Sequence, residues 1–104
     1  MAYQVIWSPV ALADLKAIGA YIEHDSPFSA KLVISKFFEL SDKYGVFPRA
    51  STIVPELKNE LIRHKLVYGW RVIYRISDSD KAVYILAILH SKRQFQGIQG
   101  RFLE

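Results

Sequence analysis

Apolar positions along this chain repeat with two different periods, and each period marks an element. Ala11, Leu15, Ile18 and Ile22 recur at helical spacing, the stripe of an amphipathic helix, with Asp14, Lys16 and Glu23 off it. Ser8-Pro9 stands just before them. A serine hydroxyl caps orphan N–H groups there, and proline fits the first helical turn. The signal repeats at Ser26-Pro27, followed by the stripe Ala30, Val33, Phe37, Leu40 and Tyr44, with Ile34 and Phe38 beside it. Gly45 is the expected C-terminal cap. The joint at His24-Asp25 is short, so the two helices form an αα-hairpin. Gly19 costs helix stability and is expected where a neighbour comes close.

Elsewhere the pattern has the strand period. Tyr3 to Trp7 is a short strand. Leu61 to Val67 is a second, with Leu61, Arg63, Lys65 and Val67 on one side and Ile62, His64 and Leu66 on the other. Tyr68-Gly69 is a tight turn into Trp70 to Ile76, where Arg71, Ile73 and Arg75 share a face opposite Trp70, Val72, Tyr74 and Ile76. After a turn at Ser77 to Lys81, the run Val83 to Leu89 is apolar on both faces, as a fully covered central strand is. Residues 45–59 read as irregular, with an apolar knot at Ile53-Val54, and Gln94 to Glu104 as a short tail. The order is β-α-α-β-β-β: an α+β fold, one domain over residues 1–104, its helical hairpin packed on a small antiparallel sheet. Trp7, Leu15, Ile22, Val33, Phe37, Val72, Ile85 and Ala87 are expected between hairpin and sheet.

Charge changes the picture more than composition does. The net charge is +4, but residues 1–57 carry five cations against six acids and residues 58–104 nine against four. A basic half points to an acidic or polyanionic partner. The 104 residues contain no cysteine, which excludes disulfides and thiolate metal sites and fits a reducing cytoplasm. No start resembling a secretory leader and no apolar run of membrane-spanning length is visible, so no membrane role is expected. Nothing in the pattern calls for a metal or a cofactor.

The ordered set Ser8-Pro9, Ala11, Asp14-Leu15, Ile18, Tyr21-Ile22, Ser26-Pro27 and Ala30 resembles the helical hairpin of the RelE/ParE toxin superfamily. The second half is more similar still: Phe47-Pro48, Val54-Pro55-Glu56-Leu57, Ile62-Arg63, Gly69, Arg71 to Ile76, and His90 with Arg93. The resemblance runs from Tyr3 to about Phe95. It implies the toxin of a type II toxin–antitoxin module, a plasmid stabilisation protein held inactive by a cognate antitoxin. Relatives of the RelE kind cleave messenger RNA on the ribosome, and those of the ParE kind bind DNA gyrase and arrest it. The long hairpin with its Ser-Pro joint leans to the ParE side, with RelE-like cleavage the alternative and a non-toxic antitoxin binder the third class.

Cleavage of a phosphodiester needs a base for the 2′-hydroxyl, an acid for the leaving oxygen and cations facing the transition state. Arg71 matches the catalytic arginine of RelE-like strands. His90 is the candidate acid and Glu56 or Lys65 the candidate base. Arg63, Lys65, Arg75, Lys92 and Arg93 are candidates for contact with the target or with nucleic acid. Arg75 is alternatively expected to pair with Asp78 or Glu56. His64 stands where relatives usually have glutamate, and Trp70 where tyrosine is common.

Overall fold

The computed structural model describes residues 2–90. The elements are β1 (Gln4–Trp7), α1 (Pro9–Glu23), α2 (Pro27–Val46), a 3-10 turn (Pro48–Ala50), β2 (Thr52–Ile53), β3 (Ile62–Val67), β4 (Trp70–Ser77) and β5 (Ala82–His90). Both serine caps form as expected: the Ser8 hydroxyl accepts from the Ala11 N–H at 3.0 Å and the Ser26 hydroxyl from the Ser29 N–H at 3.2 Å. Among the described residues, no helix is long and apolar enough to cross a membrane. The expected tail, Gln94 to Glu104, lies outside the described residues.

The sheet has five strands in the order β1-β5-β4-β3-β2 and is mixed. β2 to β5 pair antiparallel, but β1 runs parallel to β5, with Val5 opposite Val83 and Trp7 opposite Ile85. The expectation of an all-antiparallel sheet therefore needs one correction. β2 runs opposite to β1 and the four strands β2 to β5 alternate, so β1 and the last strand point the same way. β2 is a two-residue strand at the Ile53 knot, beyond what periodicity can resolve in so short a piece.

Gly45 is not a cap. The helix runs on to Val46 and ends at Phe47, whose N–H donates to the Lys43 carbonyl. Gly45 lies buried under β1, where its carbonyl accepts from the Tyr3 N–H at 2.9 Å. A Cβ there would press on the Tyr3 carbonyl oxygen, so the glycine is needed for close approach rather than for its backbone angles.

Both sheet faces are covered. On one, the helical stripes of Ala11, Leu15, Ile18 and Phe37 meet Val72, Tyr74, Ile76, Val83, Ile85 and Ile88, with Trp7, Ile22 and Val33 packed around them. On the other, Ile62, Ile73, Ala87 and Leu89 are roofed by Val54 and Leu57 from the loop before β3. Ala87 belongs to this second cluster, not to the hairpin side where simple alternation puts it. Tyr74 pairs with Ile85 and Ile73 with Ala87, leaving Leu86 as an extra residue. This bulge shifts the alternation by one, so Ile85 and Ala87 face opposite ways.

Candidate functional site

The two-residue turn Tyr68-Gly69, both at positive φ (52° and 80°), fixes the register of β3 on β4. Val67 faces Trp70, Leu66 faces Arg71, Lys65 faces Val72 and His64 faces Ile73. Paired residues share a face, so Arg71 projects on the same side as Leu66 and His64, away from the helices. Arg63 and Lys65 project on the hairpin side. The candidate cations are therefore divided by the thickness of the sheet.

Glu56 reaches Arg71 because Val54 and Leu57 hold its loop down on the second cluster. The Arg71 guanidinium donates from both terminal nitrogens to Glu56, at 3.0 Å to Oε2 and 3.1 Å to Oε1, and from Nε to His64 Nδ1 at 3.0 Å. The Arg71 side chain is 12% exposed and that of Glu56 is 37% exposed. The fork geometry is the strong form of an arginine–carboxylate contact. The Arg71 hydrogen bonds hold the Glu56 carboxyl below its ordinary range. Burial, and then the neighbouring Arg71 charge, push the His64 imidazole down as well. An imidazole accepting at Nδ1 is neutral and carries its proton on Nε2. Among the described residues, the three side chains thus form one network in which the cation is engaged by groups of the chain itself.

Of the expected catalytic set, Arg71 and Glu56 are brought together, but as an ion pair. A carboxylate so engaged is a weak base. His90 is placed elsewhere: it pairs with Trp70 across the β4–β5 ladder while Arg71 pairs with Leu89, and adjacent positions face opposite sides. Its ring meets Trp70 edge-on, with centroids 5.1 Å apart.

The other cations have separate surroundings. Arg63 Nε donates to the Glu60 carbonyl at 2.7 Å, and its Nη1 to the carbonyls of Arg49 and Ser51, both at 3.1 Å. It fastens the loops on either side of β2. Arg75 lies over the Tyr84 ring, 4.8 Å from its centroid, and makes no ion pair with Asp78 or Glu56. Asp78 is taken by Arg49, at 2.7 Å and 3.2 Å, and by the Tyr3 hydroxyl at 2.7 Å. Glu56 is taken by Arg71. Lys65 is exposed at the outer edge of β3. Lys92 and Arg93 lie outside the described residues.

Two contacts were missed from sequence. His64 as acceptor for Arg71 was legible by counting the register outward from the two-residue turn. Asp14, off the apolar stripe of α1, accepts from the Ile88 N–H at 3.0 Å, on the side of β5 that β1 is too short to cover. No sequence signal marks that role, since it depends on where β1 stops.

The sequence profile described as the ParE toxin of type II toxin-antitoxin system, parDE, matches residues 5–95. Toxin RelE2 of Caulobacter vibrioides is 30% identical over 90 residues, 86% of this chain and 97% of that protein. Among solved structures, the chromosomal ParDE toxin–antitoxin system of P. aeruginosa superposes with a TM-score of 0.71 at 19% identity, covering 88% of this chain and 98% of that one. A free-state mutant of the E. coli toxin RelE gives 0.71 at 14% identity, covering 99% and 100%. At these identities the structural likeness is one of fold.

Proposed function

We propose, because this chain belongs to the ParE toxin family of type II toxin–antitoxin systems, that it arrests growth by binding its target rather than by cutting RNA. DNA gyrase is the target this reading assigns, and a cognate antitoxin the protein that silences it. The observation that carries the reading is the Arg71–Glu56–His64 network. The arginine a ribonuclease would aim at phosphate is held by a carboxylate at 3.0 Å and 3.1 Å, and the candidate acid His90 projects from the other face. Acid–base cleavage needs these groups within hydrogen-bond reach of one scissile bond. A binding inhibitor needs only exposed anchors. Tyr21 at 74% and Phe28 at 73% exposure flank the hairpin joint, and aromatic side chains are the commonest such anchors.

The test uses the purified chain in two assays: supercoiling of relaxed plasmid by DNA gyrase, and cell-free translation with message ends mapped by primer extension. Blocked supercoiling with intact message is the expected result. Message cut within the ribosome, with supercoiling untouched, would replace this reading with the RelE-like one.

A further inference from the structure

β1 ends at Trp7 opposite Ile85, so the last stretch of β5, Leu86 to His90, has α1 beside it instead of a strand. A helix is about 10 Å across and cannot enter the roughly 4.8 Å spacing of a sheet. A cavity of about 250 Å³ opens there. Its walls include Asp14, Ile18 and Tyr21 of α1, Ile88 and His90 of β5, and Trp70 of β4. Ile18 and Ile88 are each 3% exposed and give it an apolar base, whereas Tyr21, 74% exposed, stands at its rim. The Trp70 and His90 rings meet at 85° and hold each other in place.

The sign of the charge here is opposite to that of the sheet half. Asp14 brings a carboxylate, fixed in position because it accepts from the Ile88 N–H at 3.0 Å. A carboxylate has about four acceptor sites, so it can serve more than one donor. Among the described residues no lysine or arginine lines this cavity, whereas Lys65 stands at two cavities of the opposite sheet edge. Lys16, two positions along α1 from Asp14, does not share its face. Glu23 and Asp25 add negative charge at the hairpin joint. One carboxylate beside aromatic rings over an apolar base suits a flat cation, which can fork to the acid and stack on the rings.

We propose that this cavity is a guanidinium site, taking an arginine side chain of the target protein, with Asp14 as its carboxylate and Tyr21 and Trp70 as its stacking surfaces. The proposal rests on the reading of the chain as a binding inhibitor and supplies the chemistry by which the anchor Tyr21 is met. A nucleic-acid strand is disfavoured because its phosphates would meet a carboxylate. Arginine is favoured over lysine because an ammonium neither forks to an acid nor lies flat on a ring.

The experiment titrates the full chain with benzamidine and with its neutral analogue benzamide, followed by amide and indole chemical shifts. Benzamidine should saturate with shifts centred on Asp14, Tyr21, Trp70 and Ile88, and benzamide should bind about tenfold more weakly. Asp14→Asn keeps an acceptor for the Ile88 N–H and removes the charge. It should weaken benzamidine about tenfold and leave benzamide unchanged, whereas a merely structural Asp14 would leave the two ligands in their original ratio. Equal binding of the two ligands, or shifts centred elsewhere, would overturn the site. Benzamidine binding that appears only after Arg93→Gln would put the chain's own arginine in the cavity and overturn the assignment to a target. In the supercoiling assay, Asp14→Asn and Tyr21→Ser should each raise the concentration for half inhibition about tenfold. Tyr21 is exposed, so its replacement leaves the fold intact. Unchanged inhibition by both variants would overturn the target assignment. Absence of inhibition by the unaltered chain would instead remove the gyrase reading, and the titration would still decide the site.

Discussion

Arg71→Ala removes three hydrogen bonds at once, and the cost can be bounded from their surroundings. Breaking a buried ion pair costs about 3–5 kcal/mol, whereas exposed pairs are worth roughly 0.2–1 kcal/mol. With Arg71 12% exposed and Glu56 37% exposed, the pair lies between these limits, because an orphaned Glu56 regains water while a lone Arg71 does not. A loss of about 2 kcal/mol follows. A domain of this size holds about 5–15 kcal/mol, so the variant still folds. Glu56→Ala should destabilise at least as much, because the arginine it leaves behind is the more buried partner. The double change should cost less than the two single losses combined, by a coupling of about 1 kcal/mol. The assay is urea unfolding of all four proteins at pH 7 and fixed ionic strength, with equal m-values as the condition for comparison. Additivity within about 0.3 kcal/mol would show that the fork contributes nothing, and the argument from an occupied arginine would fail with it.

Other outcomes test neighbouring parts. His64 and Glu56 both have depressed folded values, so each contributes stability above its unfolded pKa that is lost as pH falls through the folded one. Unfolding midpoints should therefore fall first below the ordinary histidine range and again below the ordinary glutamate range. His64→Asn should abolish the first step; a step of unchanged size would assign it to another group. Phe37→Ala, at 1% exposure under the sheet, should cost about 3–5 kcal/mol in the same assay, and an unmoved midpoint would refute the packing described. Gly45→Ala should cost more than the ordinary helical preference for alanine returns, roughly 1 kcal/mol, because β1 must move off the new methyl group. Loss of hydrogen-exchange protection at the Tyr3 amide would report it, and an unchanged amide would refute it.

The elements were legible because two serine–proline starts, two helical stripes and three strand-period runs each carry a local signal. What could not be read depends on distant partners. The parallel placement of β1 is a consequence of the direction in which β2 enters the sheet, and Asp14 acquires its role only because β1 stops at Trp7. The bulge at Leu86 sits in a run that is apolar on both faces, so periodicity there carries no phase information and simple alternation puts Ala87 on the wrong side. The site was half legible. Arg71 and Glu56 were singled out, but the sequence shows charges without showing which of them cancel. Register counted from Tyr68-Gly69 would have separated Arg63 and Lys65 from Arg71.

Growth arrest by Arg71→Ala tests most directly whether the chain acts by binding. The variant is induced in cells, its fold is confirmed by circular dichroism, and message ends are mapped in parallel; Glu56→Gln, which frees the guanidinium, serves as the companion. Near-full arrest by Arg71→Ala with intact message is the expected result, because a binding surface spreads its energy over several anchors and Arg71 is spent inside the chain. Arrest abolished in a folded Arg71→Ala, together with site-specific message cleavage by the unaltered chain that Glu56→Gln accelerates, would make Arg71 a catalytic residue and contradict the reading.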